Sequence, residues 1–159
     1  MAQVYQSFLA SKRLLAPSTG LALNGHTLHE RLFLFQRTLT EWALRKGRAA
    51  IFADTGLGKT YMQLEWARAL HGRVLIVAPL SVARQTVREA ASLNCAIRYV
   101  RSATDLADGL NITNYEMAAH FEQEVFTGVV LDESSILKSL DGKTRQRLTA
   151  QFADTQYRL

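Results

Sequence analysis

Within the run IFADTGLGKT, residues 51–60, two glycines stand directly before a lysine and a threonine. That order suits a phosphate group. A loop that wraps phosphate oxygens must turn its backbone N–H groups inward, and it passes so close to them that glycine is favoured. Lys59 adds the positive charge that terminal phosphates need, and Thr60 adds a hydroxyl suited to a bound Mg²⁺. Both would open a helix, whose N-terminus already favours anions. The candidate phosphate-binding set is therefore Thr55, Gly56, Leu57, Gly58, Lys59 and Thr60. Ala53 stands where the usual pattern begins with glycine; that position only starts the turn, so a small side chain is tolerated there.

A magnesium nucleotide also needs an acidic residue at the end of a neighbouring strand. GVVLDES supplies one, with Asp132 and Glu133 directly after an apolar run. Adjacent acids can divide the work, Asp132 on the metal and Glu133 as the base that polarises attacking water. A pair of acids after an apolar run says little alone, because many strands end in acids. Together with the upstream loop it points to nucleotide hydrolysis.

The surrounding elements must bring these two stretches together. LFLFQRTLTEWALRKG places Phe35, Leu39 and Trp42 along one face of a helix that Gly47 ends. RAAIFAD reads as a short buried strand, followed by the glycine loop and a helix over 59–70. RVLIVAP, AIRYV, LNITN and TGVVLDE read as further strands, and QYRL as the start of one more. Between them come the helix SVARQTVREAASL, with Ser81 as its N-cap, then YEMAAHF as a helical turn or two, and the helix GKTRQRLTAQF. Short apolar strands alternating with helices mean parallel βαβ units, hence a three-layer α/β domain. The first 31 residues are the least regular: a short helix is expected over Val4 to Leu15, and APSTG then breaks it. Residues 1–31 thus read as a helical or irregular extension and 32–159 as the α/β lobe.

Bulk properties narrow the classes. The 159 residues suffice for one domain with a real core. Lys and Arg outnumber Asp and Glu, 19 to 14, which suits either a polyanionic partner or a plain solvated surface. Cys95 is the only cysteine, excluding an internal disulfide and a cysteine zinc cluster, and the four histidines have no metal-ligand spacing. No apolar run approaches the roughly 20 residues that span a bilayer, and the N-terminus lacks the pattern of a signal peptide. The expectation is a soluble cytoplasmic protein without a membrane partner. Trp42 and Trp66, on helix faces with apolar neighbours, are read as core.

With these stretches in view, the chain resembles the superfamily 2 DEAD-like helicases and translocases. ADTGLGKT resembles their motif I, and LIVAPLSVARQTVREA their motif Ia. LNITNYEM is similar to motif Ib, and LDESSILKS to motif II of the Swi/Snf-type branch. LFLFQRTLTEWAL resembles the helix bearing the adenine-recognising glutamine, and the stretch as a whole is similar to helicases encoded by bacteriophages and prophages. The resemblance implies a RecA-like P-loop NTPase lobe with a mostly parallel sheet, using ATP and Mg²⁺. Gln36 would read the adenine. Lys59, Asp132 and Glu133 would serve hydrolysis, with Thr60 and Asp132 on the metal. Pro79, Leu80, Ser81, Arg84, Thr113, Asn114, Tyr115 and Lys138 would face nucleic acid, double-stranded DNA sooner than RNA. Without the resemblance, Arg84 and Lys138 are ordinary surface charges, and Thr113 and Asn114 simply end a strand and cap the next helix.

The pattern departs from the family in two places. Ser134 and Ser135 follow the acidic pair where helicases usually carry A-H or A-D, which bears on coupling ATP chemistry to strand movement. TQYRL stands where the family continues into motif III and a second RecA-like lobe. That lobe supplies arginines worth roughly 10³–10⁵ in rate where such a finger has been isolated. The resemblance thus implies the first lobe of a DNA helicase or translocase, nearly inactive in hydrolysis without a second lobe. The alternative is a stand-alone, non-catalytic module that binds and regulates or inhibits a host nucleic-acid enzyme.

Overall fold

A computed structural model describes residues 17–23, 28–122, 124–135 and 142–159. The helix expected over Val4–Leu15, and Lys138, lie outside the described residues. The chain forms α1 (Leu34–Lys46), α2 (Lys59–Ala69), β1 (Val74–Ala78), α3 (Leu80–Ser92), β2 (Ile97–Tyr99), β3 (Leu110–Asn114), β4 (Gly128–Leu131), α4 (Gly142–Gln151) and β5 (Tyr157–Arg158). The strands make one five-stranded sheet in the order β2-β3-β1-β4-β5. Every pairing is parallel: Ile76 of β1 lies opposite Ile112 of β3 and Val130 of β4.

The alternation of side chains along β1 creates the layers. Val74, Ile76 and Ala78 face one side, where Leu44 of α1, Leu64 and Trp66 of α2, and Ala83 and Ala90 of α3 cover them. Leu75 and Val77 face the other, under Phe121, Leu148 of α4 and Phe152. All five residues of β1 are buried, so the strand reads as an unbroken apolar run. Trp66 is fully buried at its expected place.

Three local expectations are corrected. On α1 the buried face is Gln36, Thr40, Ala43 and Leu44, not Phe35, Leu39 and Trp42. Phe35 and Trp42 are exposed, so Trp42 is not core. Polar residues can take the inner face because their groups are satisfied locally: the Thr40 hydroxyl donates to the Gln36 carbonyl at 2.8 Å. RAAIFAD forms an isolated bridge at Arg48 with Arg158 in place of a strand. Its partner β5 is only two residues long, so only the first backbone groups of the segment find a ladder, Ala49 N–H donating to the Arg158 carbonyl at 2.9 Å. YEMAAHF forms its helical turn as a 3₁₀ turn, Ala118–Phe121, in keeping with the expectation. Finally, α3 starts one residue before Ser81, with Pro79 as N-cap; its carbonyl accepts the Ala83 N–H at 2.8 Å.

The segment before α1 is tied to it. Thr19, Gly20 and Leu21 donate their N–H groups to the Lys46, Arg45 and Leu44 carbonyls, satisfying the open C-terminal end of the helix. Only glycine fits at Gly20, where a Cβ would strike the Leu44 carbonyl, and Gly47 ends the helix at φ +75°. Among the described residues no helix is long and apolar enough to cross a membrane.

Candidate functional site

The glycine loop sits at the N-terminus of α2, as its spacing predicts. Gly56 and Gly58 have φ of +82° and +73°, a conformation that costs other residues about 1–2 kcal/mol. Gly58 is the N-cap of α2, so the first-turn N–H groups of Lys59 and Thr60 lack intrahelical acceptors by the geometry of any helix start. Those groups and the helix dipole suit an anion. The Lys59 ammonium lies across the loop, donating to the Ala53 carbonyl at 3.1 Å and the Asp54 carbonyl at 3.4 Å. It also stands 3.9 Å from the Glu133 carboxylate, in a half-exposed ion pair. Thr55 and Leu57 are exposed.

Asp132 and Glu133 come to the loop because β4 lies beside β1 and ends there. The Asp132 N–H donates to the Val77 carbonyl at 2.9 Å, continuing the ladder one residue past β4. Its carboxylate is buried and held at both oxygens. Gln63, on α2, donates to Oδ2 at 2.9 Å, and the Glu133 N–H donates to Oδ1 at 2.9 Å. Burial raises the Asp132 carboxyl above its ordinary range, with the Glu133 charge adding to it; the Gln63 and Glu133 hydrogen bonds and the Lys59 charge work the other way. Glu133 itself adopts φ +52°, unusual for a residue with a side chain, and is half-exposed toward the loop. A cavity of about 980 Å³ opens between these groups, bounded by 48–54 on one side and 130–135 on the other.

Gln36 lies under the loop. It is 4% exposed; its amide donates to the Leu57 carbonyl at 3.0 Å, and its oxygen accepts the Phe33 N–H at 2.8 Å. The glutamine thus braces the glycine loop against the start of α1. Phe33 and Phe35 stack beside it with centroids 6.3 Å apart, both exposed.

The residues expected to meet nucleic acid divide into two groups. Leu80, Ser81 and Arg84 are exposed at the start of α3, beside the partly exposed Pro79. Thr113, Asn114 and Tyr115 are buried. The Thr113 hydroxyl donates to the Val100 carbonyl at 2.8 Å, and Asn114 bonds Glu116. The Tyr115 hydroxyl donates to the carbonyl of Asp132 at 2.9 Å. As folded, Thr113 and Tyr115 are buried and donate their hydroxyl hydrogens inside the protein.

Sequence reasoning missed Gln63 and the inward direction of Tyr115. The signal for Gln63 was present, since it stands four residues after Lys59 and so on the same face of α2. Also missed was Glu65, fully buried on α2, which accepts two bonds from Arg68 at 2.7 and 2.8 Å and the His29 N–H at 2.8 Å.

No protein-family model matches the sequence, and no curated protein matches it. Among solved structures, the fold is similar to the crystal structure of the UvsW helicase from Bacteriophage T4, with TM-score 0.65 and 14% identity. The similarity covers 99% of this chain and 58% of that one, so the chain spans little more than half the length of the helicase it matches. An identity this low speaks for the architecture: a mostly parallel α/β sheet arranged as in a RecA-like helicase lobe.

Proposed function

We propose that the chain is the ATP-binding first lobe of a nucleic-acid helicase or translocase, of the phage-type superfamily 2 kind, working on nucleic acid only together with a second RecA-like lobe. The observation that supports this most is the convergence of Lys59, at the end of the glycine loop, with Asp132 and Glu133 on one cavity, with Lys59 3.9 Å from Glu133. The residues fit Mg-ATP. The loop and the N-terminus of α2 would hold the phosphates, Lys59 would exchange its loop carbonyls for phosphate oxygens, and Thr60 and Asp132 would hold the ion. Bound Mg²⁺ would neutralise charge on the transferring phosphate.

The chain's own residues then have separable tasks. Glu133, half-exposed at the rim, is placed to accept a proton from attacking water. Gln36 keeps the loop closed from beneath, and the adenine would lie over α1 near it. The exposed edge of Pro79, Leu80, Ser81 and Arg84 would meet the nucleic-acid backbone, with Asn114, at the end of β3, paired with Ala78 just before that edge. Such contacts go mainly to phosphate and weaken steeply with salt.

The test is ATP hydrolysis with and without duplex DNA, by this chain alone and mixed with a second RecA-like lobe. DNA-stimulated turnover confined to the mixture is expected. A stable complex with another nucleic-acid enzyme that survives Lys59→Ala, with no turnover in any mixture, would replace this reading with that of a non-catalytic regulatory module.

A further inference from the structure

The hydrogen bonds around Asp132 are more complete than metal binding alone requires. Its carboxylate accepts from Gln63 on one oxygen and from the Glu133 N–H on the other, both at 2.9 Å. Its carbonyl accepts from Tyr115 at 2.9 Å. Gln63 and Tyr115 are both 4% exposed, and they come from opposite sides. Gln63 rises from α2, one turn beyond Lys59; Tyr115 follows directly on β3. Both donors are neutral. They can therefore fix the carboxylate and its backbone without cancelling its charge, as a salt bridge would.

The next residue shows why the backbone needs fixing. Glu133 holds φ +52°, a conformation that costs a residue with a side chain about 1–2 kcal/mol and persists only where its neighbours over-determine it. Beside the Asp132 N–H bond to Val77, that turn is restrained by the Tyr115 bond to the Asp132 carbonyl and the Glu133 N–H bond to Oδ1. Oδ1 is oriented in turn by Gln63 on its twin oxygen.

We propose that Gln63 and Tyr115 are positioning residues: Gln63 sets which way the Asp132 carboxylate presents to the nucleotide's Mg²⁺, and Tyr115 holds the turn that aims Glu133. This rests on the nucleotide-site reading above. It also gives the loop after β3 a mechanical link to the acidic pair, because Tyr115 is joined at one end to β3 and at the other to Asp132. A displacement of that loop must pull on the Asp132 carbonyl or break its bond.

The variants are Gln63→Met, similar in length without the donor, and Tyr115→Phe, which removes only the hydroxyl. The full chain is titrated with a fluorescent ADP in Mg²⁺ and again in EDTA. The expected result with Gln63→Met is an unchanged affinity in EDTA, set by the loop and Lys59, and a Mg²⁺ contribution reduced roughly 10- to 100-fold, as when a group orienting a metal ligand is lost. Tyr115→Phe should reduce the Mg²⁺ contribution less and shift the Glu133 amide resonance in the nucleotide-free chain. A structural role alone would lower the unfolding midpoint and leave the ratio of the two affinities intact. An unchanged ratio in Gln63→Met overturns its role, and an unmoved Glu133 resonance in Tyr115→Phe overturns that of the tyrosine. If the unmodified chain binds nucleotide and these variants behave as wild type, only this inference fails; if the unmodified chain binds none, both readings fail.

Discussion

Gly56 and Gly58 share a backbone conformation but not an environment, and replacing each by alanine separates the two effects. Both have positive φ, so either replacement should cost about 1–2 kcal/mol for placing a Cβ in the left-handed region. At Gly56 a Cβ meets nothing within 4 Å, and the cost stops there. At Gly58 it would run into the Gln36 amide nitrogen, which donates to the Leu57 carbonyl at 3.0 Å. The glutamine would have to withdraw and leave a buried amide without its partner, adding about 1–3 kcal/mol. Gly58→Ala should therefore lower the unfolding free energy by about 2–5 kcal/mol in total, and by about 1–3 kcal/mol more than Gly56→Ala. Urea denaturation at constant m-value reads the difference directly. Adding Gln36→Ala to each background should remove most of the gap, because the clash then has no partner. Equal losses in the two single variants, or a gap that persists without Gln36, would refute the argument.

Arg68→Ala strips the buried Glu65 carboxylate of two charge-assisted bonds, leaving the His29 N–H. Since the Arg68 side chain is 44% exposed and water can enter its place, a loss of about 1.5–3 kcal/mol is expected in chemical denaturation, and none within error would contradict it. Asp105→Asn should show a pH signature. The N–H groups of Arg101 and Ser102 and the Ser102 hydroxyl hold the Asp105 carboxyl below its ordinary range. A folded value below the unfolded one stabilises above the unfolded value, near 3.9, and that stability disappears as pH falls through the folded value. The variant should be less stable than the parent at neutral pH, and the gap should close in acid. A gap independent of pH would count against those bonds.

Local chemistry made the glycine loop at the start of α2 and the acidic pair at the end of β4 legible. A turn into a helix with glycines at fixed offsets is specified by neighbours in sequence, and Gly56, Gly58 and Lys59 lie at the start of α2 where that rule puts them. The parallel sheet was legible for a similar reason, since VLIVA and GVVL are apolar on both faces and fit only a covered sheet. What the sequence hid depends on distant partners. The inner face of α1 carries Gln36 and Thr40 because Leu57 and the helix backbone satisfy them, and no count of apolar residues shows that. Tyr115 turns inward because the Asp132 carbonyl, 17 residues away, offers an acceptor. RAAIFAD has strand composition, but pairing requires a ladder, and β5 gives one only beside Arg48 and Ala49.

The central claim is that this loop binds a nucleotide through Lys59. Calorimetric titration of the chain with ATP and Mg²⁺, repeated on Lys59→Ala, tests it most directly. One-to-one binding by the parent and none measurable by the variant is predicted, with both proteins unfolding at similar temperatures in the absence of nucleotide. Equal ATP affinity in the two proteins would contradict the assignment of the site.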